Sequence, residues 1–125
     1  LPTQDPRPAD YLAPETSRGL DLSVEVEVDG EVVSRPPYRT TYWGPAQMLA
    51  HLTVNGASLR TGDLFGSGTI SGPGADEVGS LLELYGGERF LEDGSTVVLR
   101  YAAPGRDGGR ITLGEVRGQV VPAAR

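Results

Sequence analysis

The sequence predicts a mainly β fold with one short helix. Eighteen glycines and ten prolines in 125 residues supply many turns. Apolar and polar residues alternate over residues 20–28 and again over 96–101, which is the period of a half-buried strand. Helical spacing is confined to residues 46–53. We therefore predict about seven short strands and one helix, arranged as a mixed or antiparallel β-sandwich or roll.

Composition excludes several classes of protein. The chain has no cysteine, so it can form neither a disulfide framework nor a thiolate zinc site. Its formal charge is −6 and all its basic residues are arginine, which argues against a nucleic-acid surface. No apolar run approaches the ~20 residues of a membrane helix, and the first residues lack a signal-peptide pattern. We expect a cytoplasmic protein with no nucleic-acid or membrane partner.

The first third of the chain predicts a lead-in followed by a hairpin. Residues 1–19 are rich in proline and non-periodic, whereas residues 20–125 carry the folded part. Asp29-Gly30 is a type I′ turn signal between the strand at 20–28 and a returning strand at 31–34. The acidic residues that alternate along the first strand are interpreted as a solvated face without metal chemistry.

A short helix is predicted next. Pro36 and Pro37 keep residues 35–42 extended, and Pro45 suits the first helical position before residues 46–53. His51 is the chain's one histidine and adjoins Gln47 on one helix face. It is either a general base or ligand, or a hydrogen-bonded structural residue. The structural interpretation is favoured because no Asp, Ser or Cys lies nearby in sequence.

The candidate chemistry lies in the glycine-rich stretch 62–84. Ser67, Thr69 and Ser71 would project from one face of an extended segment. Residues 80–85 are predicted to form a strand that is apolar on both faces and interrupted by Glu83. A buried carboxylate needs a partner. Glu83 is therefore either an exposed edge-strand residue or a functional buried carboxylate, and Thr69 either a strand-favouring residue or a ligand contact.

The last part of the chain predicts further strands. Residues 96–101 form one strand, and 104–109 form a glycine-rich loop. Residues 111–121 form one or two strands, with Gly114 and Gly118 suggesting bulges.

Seven motifs, in order along nearly the whole chain, resemble the fumarylacetoacetate hydrolase family. They are YW at 42–43, LAHLTVNG at 49–56, LRTGDL at 59–64, SGTISGP at 67–73, GSLLEL at 79–84, FLEDG at 90–94 and GQVVPA at 118–123. The resemblance implies the β-roll of that family's C-terminal domain. It also implies that the metal-binding carboxylates and the catalytic histidine belong to segments upstream of this chain, so no metal ligand is assigned here.

The resemblance assigns roles to two residues. Thr69 matches the family's substrate-contacting threonine, and Glu83 matches the glutamate that works with the catalytic histidine to activate water. His51 matches a position other than that histidine. Two departures are Gly74, where the family commonly has Glu, and residues 85–89, which are shorter than the usual hairpin.

The implied reaction is hydrolysis of a carbon–carbon bond in a 1,3-diketo acid, from fumarylacetoacetate to fumarate and acetoacetate. This is the last step of tyrosine and phenylalanine breakdown. The complete enzyme is expected to be a homodimer that uses Mg²⁺ or Ca²⁺, and the chain alone is expected to be an inactive C-terminal fragment. The alternatives are a hydratase, acylpyruvate hydrolase or decarboxylase of the same superfamily, or a non-catalytic β-domain for oligomerisation.

Overall fold

A computed structural model describes residues 9–12 and 19–124. Most of the predicted lead-in over 1–19 therefore lies outside the described residues. The regular elements, in chain order, are β1 (Ser23–Val28), β2 (Glu31–Ser34), α1 (Pro45–Thr53), α2 (Leu81–Tyr85), β3 (Thr96–Pro104) and β4 (Arg110–Gln119), with 3₁₀ turns at Tyr38–Thr40 and Arg106–Gly108. No helix in this part of the chain is long and apolar enough to cross a membrane.

The chain divides into two compact units. In the described residues, the first unit comprises 9–12, 19–20 and 39–68 and contains α1. The second comprises 21–38 and 69–124 and contains the four strands and α2. Thr69 and Glu83 both belong to the second unit.

The second unit is built on one antiparallel sheet in the order β2-β1-β3-β4. This confirms the mainly β prediction, although the described residues form four strands rather than about seven. The predicted hairpin is also confirmed, because Asp29 and Gly30 both have positive φ, at 50° and 87°. Asp29 further anchors β3 by accepting a 2.7 Å hydrogen bond from the backbone N–H of Thr96.

The two predicted bulges in β4 have different outcomes. Gly114 has φ of 76° and lies where the β3–β4 register shifts, between the pairs formed by Arg100 and Ala102. Glycine adopts this backbone conformation without steric cost, so that bulge is confirmed. Gly118 pairs regularly with Val97, so the predicted bulge at Gly118 is wrong. Residues 110–119 form a single strand.

The sheet buries a small set of apolar side chains. Val98 of β3 is fully buried, and Val24 and Ala102 are nearly so. β4, at the sheet edge, is exposed along its whole length. The buried apolar side chains of the sheet therefore lie on β1 and β3, the two central strands.

Helix α1 agrees with its prediction. It begins at Pro45, and the side chain of Gln47 accepts a 3.2 Å hydrogen bond from the N–H of Gly44 just before it. His51 is hydrogen-bonded, as the structural interpretation expects, but its partner is Tyr11 rather than Gln47. The Tyr11 hydroxyl lies 3.1 Å from Nδ1 of His51, and the two rings stack.

Residues 80–85 contradict the predicted strand. Ser80 is the N-cap of α2 and its hydroxyl accepts a 3.2 Å hydrogen bond from the N–H of Glu83, while Gly86 ends the helix at φ of 61°. The Ser-x-x-Glu spacing and the following glycine are helix-start and helix-stop signals that outweigh the apolar run. The Arg89 guanidinium lies over the Tyr85 ring, 5.2 Å from its centre, so the two ends of the short segment 85–89 contact each other.

Candidate functional site

The candidate site forms where residues 69–71 pass beside Gly79, just before α2. A Cβ atom built on Gly79 would lie 2.5 Å from Cγ2 of Thr69 and would collide with the carbonyl oxygen of Ile70. A side chain at position 79 is therefore incompatible with this approach, which only glycine permits. Gly79 brings the Thr-Ile-Ser segment against the start of the helix.

The Ser71 hydroxyl and the Gly79 backbone N–H meet at the Glu83 carboxylate. The Ser71 hydroxyl donates to Glu83, with Oγ at 2.7 Å from Oε2 and 3.0 Å from Oε1. The backbone N–H of Gly79 donates to Oε2 at 2.8 Å and also lies 3.2 Å from Oγ of Ser71. We call this arrangement of Ser71, Gly79 and Glu83 the carboxylate clamp.

The clamp favours the charged form of Glu83. The Ser71 hydrogen bond is the largest cause of a lowered pKa for Glu83, and the Gly79 and Ser80 backbone N–H groups act in the same direction. Partial desolvation opposes them without reversing the shift. Glu83 is therefore an anion at neutral pH, held by neutral donors rather than by a positive side chain.

The segment that leads into Gly79 is fastened to the sheet at the end of β2. The Ser34 hydroxyl hydrogen-bonds to the carbonyl oxygens of Asp76, at 3.2 Å, and Val78. The N–H of Arg35 donates to the same Asp76 carbonyl at 2.6 Å. These bonds, which come from one short side chain and one backbone group, hold the segment just before the Gly79 N–H against the sheet.

An apolar cavity of about 150 Å³ lies behind the clamp. Its lining includes Val26 and Leu99 from the sheet, and Val78, Leu81 and Leu84 from the helix side. Helix α2 therefore turns Leu81 and Leu84 toward the sheet, whereas Leu82 is 66% exposed. This orientation leaves Glu83 on the outer side of the helix.

The predicted site residues occupy positions that differ from expectation. Glu83 and Thr69 are both exposed, so Glu83 is not the buried charge that a two-sided strand would require. Ser67 belongs to the first unit and donates to the carbonyl of Gly68 at 3.2 Å. Of the three hydroxyl residues, Ser71 is the one that reaches Glu83.

Both Ser71 and Glu83 are named from the sequence, but the contact between them is not predicted by it. The assumed strand at 80–85 gave no reason to bring Glu83 back toward Ser71. The signal was the Ser80-x-x-Glu83 spacing, which starts a helix and directs the glutamate back to the backbone before the helix. Gly79, the donor missed from sequence, directly precedes that signal.

No group of three or more His, Asp or Glu side chains in residues 9–12 and 19–124 is placed to hold a metal ion. These residues by themselves do not fit the divalent ion implied by the resemblance, so no chemical step is derived through one. A larger cleft of about 510 Å³ lies on the sheet and is lined by Glu25, Arg100 and Glu115, among others. Neither Thr69 nor Glu83 lines it.

The fold and the clamp define a small mainly β domain that presents an anionic carboxylate at the start of a short helix. A family model described as the C-terminal part of fumarylacetoacetate (FAA) hydrolase matches residues 4–121. The chain therefore belongs to the fumarylacetoacetate hydrolase family.

The relatives that the chain resembles in sequence are fumarylacetoacetases, in agreement with this family. The chain is 41% identical to the fumarylacetoacetase of Arabidopsis thaliana, 41% to that of Caenorhabditis elegans and 39% to that of Homo sapiens. Each comparison covers 98% of this chain and 33% of the relative. The chain thus spans about a third of the length of the curated relatives it matches.

Proposed function

We propose that the whole protein hydrolyses the carbon–carbon bond of a 1,3-diketo acid, converting fumarylacetoacetate and water into fumarate and acetoacetate. The observation that carries this proposal is the carboxylate clamp, which keeps the glutamate of the LLEL motif anionic and exposed. The fumarylacetoacetases that match nearly all of the chain support this substrate over those of other superfamily members.

Glu83 is proposed to orient the histidine that acts as general base. The carboxylate accepts the N–H of the imidazole, holds the ring in one tautomer and stabilises the imidazolium formed when the ring takes a proton from water. The resulting hydroxide adds to a carbonyl carbon of the substrate. The bond to the neighbouring carbon then breaks, and that carbon receives the proton held by the imidazolium, which releases acetoacetate and returns the histidine to its neutral form. His51 is not proposed as the base, because the family resemblance matches it to a position other than the catalytic histidine.

Thr69 is proposed to donate a hydrogen bond to a carboxylate or keto oxygen of the substrate. Its side chain is exposed beside Gly79, two residues from Ser71 on the same segment. A single segment would then position both the substrate contact and the clamp.

The test of this proposal uses the protein as its gene encodes it, assayed with fumarylacetoacetate and with simple acylpyruvates. Thr69→Val should raise KM by about tenfold with a smaller change in kcat, because it removes a hydrogen bond made in both the ground and transition states. Thr69→Ser keeps the hydroxyl and should keep KM within about threefold.

The substrate panel separates the alternatives. Faster turnover of acylpyruvates would replace the proposal with an acylpyruvate hydrolase, and carbon dioxide release or water addition would indicate a decarboxylase or hydratase. Absence of turnover on every substrate would favour a non-catalytic β-domain for oligomerisation. The 125-residue chain expressed alone remains predicted to be inactive in the same assay.

The remaining assignments for the whole protein are also proposals. They are a divalent ion, Mg²⁺ or Ca²⁺, a diketo-acid substrate as the small-molecule partner, a homodimer and a cytoplasmic location. Exposed apolar side chains on the edge strand β4, including Leu113 and Val116, support association with another surface. Sedimentation of the whole protein tests the dimer directly.

A further inference from the structure

We infer that Ser71 is a positioning residue, which together with the N–H of Gly79 fixes one oxygen of Glu83 and leaves the other to accept the imidazole N–H. This inference rests on the proposed function, because it assigns a role to Ser71 within the same site. Oε2 is the oxygen held by the clamp, and Oε1 is the oxygen that accepts the imidazole N–H of the base.

The distances distinguish the two oxygens. Oε2 receives the Gly79 N–H at 2.8 Å and lies 2.7 Å from Oγ of Ser71. Oε1 makes the longer 3.0 Å approach to the same hydroxyl. A serine carries one O–H proton, so it donates fully to one oxygen at a time, and the shorter contact selects Oε2.

The hydroxyl of Ser71 is itself oriented. Its Oγ lies 3.2 Å from the N–H of Gly79, so that N–H is shared between Oγ and Oε2. A donor approaching Oγ from the backbone leaves the hydroxyl proton directed at the carboxylate. The three groups therefore form a closed ring in which Ser71 both accepts and donates.

The ring leaves hydrogen-bond acceptor positions unoccupied on the Glu83 carboxylate. Two carboxylate oxygens offer about four acceptor positions; the clamp occupies two, mainly on Oε2, and the Ser80 backbone N–H contributes a further donor, which leaves at least one position for the imidazole. All these donors are neutral, so the negative charge of Glu83 is available to stabilise an imidazolium. A guanidinium in the place of Ser71 would offset that charge.

The backbone makes the position of Oε2 firm. The Gly79 N–H is fixed by the close approach of Ile70 and by the hydrogen bond from Ser34 to Val78. Ser71 is carried by the same segment as Ile70. Loss of the hydroxyl would therefore leave Oε2 on the Gly79 N–H but allow Oε1 to turn about that bond, and small misplacements of catalytic groups are costly in rate.

The experiment compares Ser71→Ala with Ser71→Thr and Glu83→Gln in the protein as its gene encodes it. Ser71→Ala should lower kcat by about tenfold with KM within about twofold, because only the orientation of the base is lost. Ser71→Thr restores the hydroxyl and should recover most of kcat. Ser95→Ala is the matched control, since the Ser95 hydroxyl accepts a bond from the N–H of Glu92 in a distant turn.

A second readout detects the clamp without turnover. Carbon-13 NMR titration of the Glu83 carboxyl should give a pKa below the ordinary glutamate range, and Ser71→Ala should raise it because the largest stabilising hydrogen bond is removed. Ser71→Thr should leave the pKa lowered. A serine that does not donate to Glu83 would leave this titration unmoved, whatever its effect on thermal stability.

Two results would overturn the inference, and they are distinguishable. If Glu83→Gln slows turnover while Ser71→Ala changes neither kcat nor the Glu83 titration, Ser71 is not the positioning residue and the proposed function stands. If Glu83→Gln itself leaves kcat unchanged, the role of Glu83 fails and that of Ser71 fails with it.

Discussion

The second unit holds carboxylates in two different ways. On the sheet, the Arg100 guanidinium lies 2.6 Å from Glu27, 3.1 Å from Glu115 and 3.5 Å from Glu25, forming what we call the arginine cluster. At the start of α2, the partners of Glu83 within the described residues are a hydroxyl and backbone N–H groups. The pKa of Glu115 in the cluster and that of Glu83 are both lowered, but the arginine cluster also offsets the negative charge with a cation.

This difference separates a structural carboxylate from one suited to chemistry. A guanidinium occupies the acceptor positions of its partners, so Glu115 is committed to ion pairs with Arg100 and Arg117. Neutral donors lower the pKa of Glu83 while its charge remains available to a further partner. The nature of the donors distinguishes the two sites, because the pKa of the carboxylate is lowered in both.

The largest effect is expected from Gly79→Ala. The added methyl would meet the Ile70 carbonyl and Thr69 Cγ2, so the backbone must shift and the clamp loses its N–H donor. Turnover should fall by more than about 10²-fold. Steady-state kinetics together with a thermal melt would show whether the protein remains folded.

Gly118→Ala is the matched control, because a Cβ at position 118 on β4 meets nothing within 4 Å. Its kcat should stay within about twofold of wild type. Equal losses from both glycine variants would mean that the close approach at Gly79 has no special role.

A smaller effect is expected from Arg100→Gln. It leaves Glu25, Glu27 and Glu115 without their shared cation, so Tm at neutral pH should fall by no more than about 5 °C, while kcat changes little. Exposed ion pairs contribute modestly, which limits the size of the loss.

The pH dependence of that loss follows from Glu115. Arg117, with a further contribution from Arg100, lowers the pKa of Glu115 in the folded protein. The resulting stability is present above the unfolded pKa and is lost as pH falls through the lower folded pKa. The Tm difference between wild type and Arg100→Gln should therefore shrink on acidification, and a difference that grows would contradict the ion-pair account.

Local sequence signals predicted the sheet better than the site. The alternation over 20–28 and the Asp29-Gly30 turn act between chain neighbours, so the hairpin followed directly from them. Thr96 and Arg110 begin strands that were also anticipated, within a few residues at their ends.

The clamp depends on contacts between residues that are distant in sequence, and the spacing of those residues does not predict them. Ser71 and Glu83 are twelve positions apart, and their meeting requires a helix where the apolar run of LLEL favoured a strand. The helix-start signal at Ser80 was present, but it competed with that run. The donor at Gly79 is a backbone group, which residue identity alone cannot reveal.

The most direct measurement is the ratio of kcat values for Glu83→Gln and Glu115→Gln in the protein as its gene encodes it. Both changes replace an exposed carboxylate with an amide of the same shape, one in the clamp and one in the arginine cluster. The expected result is a kcat about 10²-fold lower for Glu83→Gln, with KM little changed, and a kcat near wild type for Glu115→Gln. Near-equal kcat values for the two variants would contradict the central claim that neutral donors prepare Glu83 for catalysis.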